Sequence, residues 1–96
     1  MRGKTKGTPQ DYKAAFKWHS KAAEQGDAEA QYNLGVSFNR GLGTPQDYVM
    51  AHMFFNIANA NGQEPPDEWR DLVAKEMTSS QIEKAQDLDR KWMESH

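Results

Sequence analysis

Ninety-six residues without a cysteine and with a formal net charge of −2 make one domain that can build neither a disulfide framework nor a thiolate metal site, and a thiol nucleophile is excluded. Residues 1–63 hold seven Lys/Arg against five Asp/Glu and residues 64–96 hold five against nine, so neither half concentrates the basic surface that nucleic acid demands. No apolar run approaches the roughly 18 to 20 residues that cross a bilayer, and no hydrophobic segment follows the basic N-terminus.

The chain is therefore expected to be soluble, with no membrane insertion and no signal peptide. It reads as cytoplasmic as it stands, with a periplasmic or secreted parent protein left open. All four prolines, Pro9, Pro45, Pro65 and Pro66, fall between segments of helical periodicity, and no alternating β-branched stretch argues for a strand. Five helices are predicted.

The first runs from about Asp11, its expected N-cap, to Gln25, with Gly26 just past its end. Its apolar set is Tyr12, Ala15, Phe16, Trp18, His19, Ala22 and Ala23. The second, about Ala28 to Asn39, carries Ala30, Leu34, Gly35 and Phe38 at helical spacing. Gly35 in mid-helix costs about 1 kcal/mol against alanine, which points to the close approach of a neighbouring helix.

The third, about Asp47 to Asn61, repeats the first. The hexapeptide Gly-Thr-Pro-Gln-Asp-Tyr stands at Gly7 to Tyr12 and again, 36 residues on, at Gly43 to Tyr48, a period in the range of stacked helical hairpins. Ala15, Ala22 and Gly26 recur as Ala51, Ala58 and Gly62, and Trp18 becomes Phe54. The fourth helix, about Asp67 to Met77, starts after Pro65-Pro66 and carries Trp69, Leu72, Val73 and Met77 on one stripe. The fifth, about Ser79 to Glu94, opens on a Thr78-Ser-Ser-Gln81 capping box and shows Ile82, Ala85, Leu88 and Trp92 on one face.

These residues resemble the Sel1-like repeat (SLR) family, relatives of the tetratricopeptide (TPR) repeats. The resemblance is carried by Gly7, Asp11, Ala15, Trp18-His19, Ala22-Ala23 and Gly26, then by Ala30-Gln31, Leu34-Gly35, Phe38, Gly41 and Gly43. His19 stands where the family has an aromatic, Asn59 replaces the second alanine of the pair, and the segment after Gly62 lacks the Ala-Gln and Leu-Gly pattern. The resemblance implies an all-α, right-handed α-α superhelix or solenoid of antiparallel helix pairs. One domain over 1–96 divides into repeat one at 7–42, repeat two at 43–77 with a degenerate second helix, and a C-terminal capping helix at 78–96. The residues before Pro9 align with the loop that would follow a preceding helix, so an excerpt of a longer array and a natural start in mid-repeat are both open.

Between the repeats, Lys13, Ala14, Lys17, Lys21 and Glu24 give way to Val49, Met50, Met53, Ile57 and Ala60. The third helix is thus apolar nearly all round, which marks a helix covered on both sides. Three covers are open: the closing helix, a partner seated in a methionine-rich groove, or a second copy of the chain in a dimer.

Lys13, Lys17 and Lys21 form an i, i+4, i+8 stripe, read either as a solvated edge or as a strip for an acidic partner. His19, His52 and His96 do not have metal-ligand spacing, and His19 and the tryptophans Trp18, Trp69 and Trp92 are expected in or at the core. Gln31 and Asn33 are polar candidates beside the core that could equally satisfy a loop carbonyl. No nucleophile with a base, no paired carboxylates and no metal cluster is found, so no catalytic residue, no metal ligand and no cofactor is assigned.

The sequence reads as a non-catalytic protein–protein interaction module, an adaptor or scaffold of bacterial type that holds a peptide or partner protein on its concave helical surface. Lys13, Lys17, Ser20, Lys21, Met53 and Asn56 are the candidate contacts, with Lys17 and Met53, and Ser20 and Asn56, at equivalent positions. The alternative is a structural C-terminal fragment of a longer array. A hydrolase of the β-lactamase-like kind found among cysteine-rich relatives is a remote third option, since this chain has no cysteine.

Overall fold

A computed structural model of the protein describes residues 9–62 and 75–95. Those residues form four α-helices and no strand: α1 (Pro9–Glu24), α2 (Ala28–Arg40), α3 (Tyr48–Ala60) and α4 (Ser79–Ser95). Most of the fourth helix expected from the sequence, with Trp69, Leu72 and Val73, lies outside the described residues; of its span only 75–77 are described, with Met77 buried in the core.

Local chemistry sets the ends. The Asp27 carboxylate caps α2 by accepting from the Ala30 N–H at 3.2 Å, and Asp47 caps α3 by accepting from the Met50 N–H at 3.1 Å. The capping box before α4 is reciprocal: the Thr78 N–H donates to Gln81 Oε1 at 2.9 Å and the Gln81 N–H donates to Thr78 Oγ1 at 3.1 Å. On α4, the exposed Asp87 carboxylate pairs with Arg90 and, at 3.1 Å, with Lys91 Nζ.

Residues 9–12 of the first hexapeptide and their equivalents 45–48 of the second adopt different structures. In the second copy Pro45, Gln46 and Asp47 precede the helix. They are tied to the end of α2 by the Asp47 N–H donating to the Phe38 carbonyl at 2.9 Å and Gln46 Nε2 donating to the Asn39 carbonyl at 2.8 Å. In the first copy the helix already starts at Pro9, where a missing N–H is tolerated. Asp11 is therefore a first-turn acid favoured by the helix dipole, and its expected N-cap role is corrected.

The copies also touch. Gly43 has φ +78°, and a Cβ on it would lie 2.3 Å from the Tyr12 carbonyl oxygen, so the first residue of the second hexapeptide rests on the backbone of the last residue of the first. Gly35 plays the expected close-packing part, with a Cβ there lying 2.6 Å from the Phe55 ring.

The helices pack in chain order, α2 on α1 and on α3, and α4 on α3. Helix α3 is the hub: Ala51, His52, Met53, Phe54, Phe55, Ile57 and Ala58 are all buried. Helix α4 provides the cover on its far side and straddles it. Leu88 and Trp92 join the cluster of Leu34, Met53, Phe54 and Ile57, while Ile82 and Ala85 join Ala51, Phe55, Met77 and Val49. Burying one large apolar side chain contributes about 1.5–3 kcal/mol, so the α3 stripe that replaced the lysines of α1 is what holds α4 in place. Burial on this helix also pushes the Asp89 carboxyl up from its ordinary value.

One core expectation is corrected. Trp18 is 73% exposed, whereas Phe54, the same position one repeat later, is 4% exposed. Phe54 is enclosed by Phe38 from α2 and Trp92 from α4, and among the described residues no helix lies over the corresponding side of α1. His19 is half-buried, as a boundary residue.

Candidate functional site

Four aromatic side chains, one from each helix, form a continuous row. Phe16 meets Phe38 edge-on with ring centres 5.4 Å apart, Phe38 stacks on Phe54 at 5.9 Å, and Phe54 meets Trp92 edge-on at 5.1 Å. Such pairs contribute about 0.5–1.5 kcal/mol each beyond their burial, so the row ties the helices together as well as lining what lies above it.

Above it lies an open groove of about 180 Å³ that adds Ser20 and Glu24 of α1, Leu34 of α2 and Met50 of α3 to the aromatic walls. The helical spacing of Phe16, Ser20 and Glu24 puts all three on one edge of α1. The groove is smaller than the roughly 300–1,000 Å³ of a small-molecule site.

Glu24 and Trp92 also border a second, more polar hollow of about 270 Å³ with Gln25, Gly26, Gln31, Asn61 and Met93. Its floor is a fixed hydrogen-bond chain: Gln31 Nε2 donates to the Ala23 carbonyl at 3.0 Å, and Asn61 Nδ2 donates to Gln31 Oε1 at 2.9 Å. Gln31 is buried and spends its amide on the end of α1 while receiving the end of α3, so it locks the two repeats in register.

The sequence-derived contacts do not form one site. Ser20 lines the apolar groove, with its hydroxyl donating to the Phe16 carbonyl at 2.8 Å. Lys17 and Lys21 lie on the outer side of α1 around Trp18 and Ala14, and Lys13 faces Gly43, Thr44 and Pro45. Asn56 is half-buried and pairs with His52 Nδ1 at 3.1 Å. Met53 is 4% exposed inside the core, which removes it as a surface contact: α4 covers the side that is open on α1.

Glu24 and Trp92 were missed. Sequence spacing places Glu24 only beside the lysine stripe and Trp92 in the core, because their meeting depends on how α4 crosses α3. Among the described residues no group of three His, Asp or Glu side chains could hold a metal ion, and no helix is long and apolar enough to cross a membrane.

The Sel1 repeat family model matches residues 1–27 and 28–63. Over 41 residues the chain is 49% identical to DAP3-binding cell death enhancer 1 of Rattus norvegicus, covering 43% of this chain and 8% of that protein. It is 39% identical over 54 residues to the chitin synthase regulator SKT5 of Malassezia restricta, covering 56% of this chain and 4% of that protein. The chain thus spans less than a tenth of these relatives. Among solved structures it is similar to a protective antigen of uropathogenic Escherichia coli displaying an SLR fold. There the TM-score is 0.80 and the identity 36%, over 86% of this chain and 18% of that one.

Proposed function

The chain belongs to the Sel1 repeat family, whose members are helical protein-interaction modules, and from that premise we propose that it is a non-catalytic adaptor that seats an apolar segment of a partner protein in the groove over the aromatic row. The observation that carries this reading is the groove itself. Four helices converge on an open apolar surface with one carboxylate, Glu24, at its edge. The names of two relatives, one binding DAP3 and one regulating chitin synthase, describe proteins that act on other proteins, which supports an adaptor role. The likeness to an Escherichia coli protein supports a bacterial setting, in a signalling, envelope or host-interaction pathway.

The test fills the groove from its rim without touching the core. Ser20→Arg and Glu24→Lys both lie on α1 at positions that open to solvent, and each variant is first checked for unchanged helicity and melting. Partners captured by the wild-type chain and identified by mass spectrometry are then compared with those of the variants. Loss of the same partner from both variants is expected; an unchanged set of partners and affinities rejects the groove as the binding surface.

A further inference from the structure

Glu24 and Trp92 border both the apolar groove over the aromatic row and the polar hollow beside it, so the Glu24 side chain stands at the junction of the two. Among the described residues that line either hollow, Glu24 is the only charged one. No lysine or arginine among the described residues pairs with it: Arg90 and Lys91, next to Trp92 on α4, are both taken by Asp87. Helix chemistry does not ask for an acid here. Glu24 is the last residue of α1, where the carbonyl end of the helix dipole disfavours a carboxylate, and the equivalent last residue of α3 is Ala60.

The polar hollow adds to the charge. The ends of α1 and α3 both reach it, through Gln25-Gly26 and Asn61, so two helix dipoles reinforce the negative potential of Glu24. Asn61 gives its Nδ2 to Gln31, which leaves its Oδ1 as an acceptor.

We propose that the partner segment carries a basic side chain, lysine or arginine, within about one helical turn of its apolar anchor, and that this side chain enters the polar hollow against Glu24 while the anchor enters the groove. The proposal rests on the groove reading above and names the chemistry of its partner. An ammonium or guanidinium brings donors and no acceptor, which matches the Glu24 carboxylate and Asn61 Oδ1, while its aliphatic stem packs along Trp92 and Met93. A carboxylate in the same place would meet Glu24 and two negative helix ends, so the hollow selects its occupant by sign. An exposed ion pair contributes little by itself. The groove therefore supplies the affinity and the hollow supplies the choice.

The probes are capped peptides of about ten residues in an Ala/Ser background, each with one leucine and one arginine about two to four residues away, beside twins in which glutamate replaces the arginine. Heteronuclear NMR of the full chain follows two sets of signals: the side-chain amides of Gln31 and Asn61 report the hollow, and Ser20 and Met50 report the groove. At least one arginine peptide should move both sets and bind about tenfold more tightly than its glutamate twin, with the advantage shrinking as salt rises from about 0.05 M to about 0.5 M. In Glu24→Gln the preference should collapse, whereas Glu83→Gln, an exposed position on α4 with the same change in net charge, should keep it. Twins that bind equally and move only Ser20 and Met50 overturn the basic choice and leave the groove reading standing. A preference that survives Glu24→Gln also overturns it. No shift in either set up to about 1 mM of any peptide counts against both readings at once.

Discussion

The ring of Phe55 occupies the space that a side chain on Gly35 would need: a Cβ built there meets Cδ1 and Cε1 of that ring at 2.6 Å. Phe55 is itself fully buried and packs against Tyr32 with ring centres 5.8 Å apart, so it has nowhere to retreat. Gly35→Ala gains about 1 kcal/mol of helix propensity and meets an overpacking cost of about 1–3 kcal/mol, for a net loss. Urea denaturation followed by circular dichroism should show a lowered midpoint. Adding Phe55→Leu should cost less in the Gly35→Ala background than in the wild type, and strict additivity would mean the two residues are not coupled.

Gln31 is the polar counterpart of that contact. Replacing it by leucine keeps its bulk but leaves the Asn61 amide without this partner and the Ala23 carbonyl with only the Gly26 N–H, at a cost of about 1–3 kcal/mol. Asn61→Ala leaves Gln31 bonded to Ala23 and should cost less. A thermal melt that ranks the two variants the other way round contradicts the assigned order of the chain of bonds.

Trp92 closes the aromatic row from α4. Trp92→Ala removes its edge contact with Phe54 and part of the cover on Met53 and Ile57; a fully buried aromatic truncated to alanine costs about 3–5 kcal/mol, and half-buried Trp92 should fall below that range. The loss should be local first. Amide exchange and limited proteolysis are expected to accelerate in 79–95 while α1 and α2 stay protected, and uniform acceleration along the chain would show that α4 is not a separable cover.

Asp89 gives a pH dependence with a definite sign. Burial raises its folded-state pKa above the unfolded value, so the folded chain holds the proton more tightly. This group's contribution to stability is greatest at low pH, where it is protonated in both states, and falls as pH rises from the unfolded to the folded pKa. Asp89→Asn removes the cost of burying the charge. The variant should melt higher than wild type at neutral pH, with the difference shrinking as the solution is acidified below the ordinary carboxylate range; a difference independent of pH refutes the burial effect.

Much of the fold was legible from residue patterns because the controlling interactions are local. Asp47 as a cap, Thr78 and Gln81 as a capping box, and Gly35 as a point of close approach each depend on neighbours within a turn or on one facing helix. Trp18 departs from the core expectation for a physical reason: the repeat preserves a large aromatic, while burial depends on what lies across from it, and only Phe54 has Phe38 and Trp92 against its ring. The groove was hidden in the same way. Ser20 could be picked out from repeat equivalence, but Glu24 and Trp92 face one another only because α4 puts Leu88 and Trp92 on one side of α3 and Ile82 and Ala85 on the other.

The seam at which Gly43 rests on Tyr12 has a consequence for how such chains can vary. What Gly43 touches is a peptide group, and every residue type presents the same peptide group. The pitch from one helical hairpin to the next is therefore gauged by backbone against backbone, like a thread cut to a standard, and the side chains on either flank can be exchanged for new specificities without changing the spacing at which they are displayed.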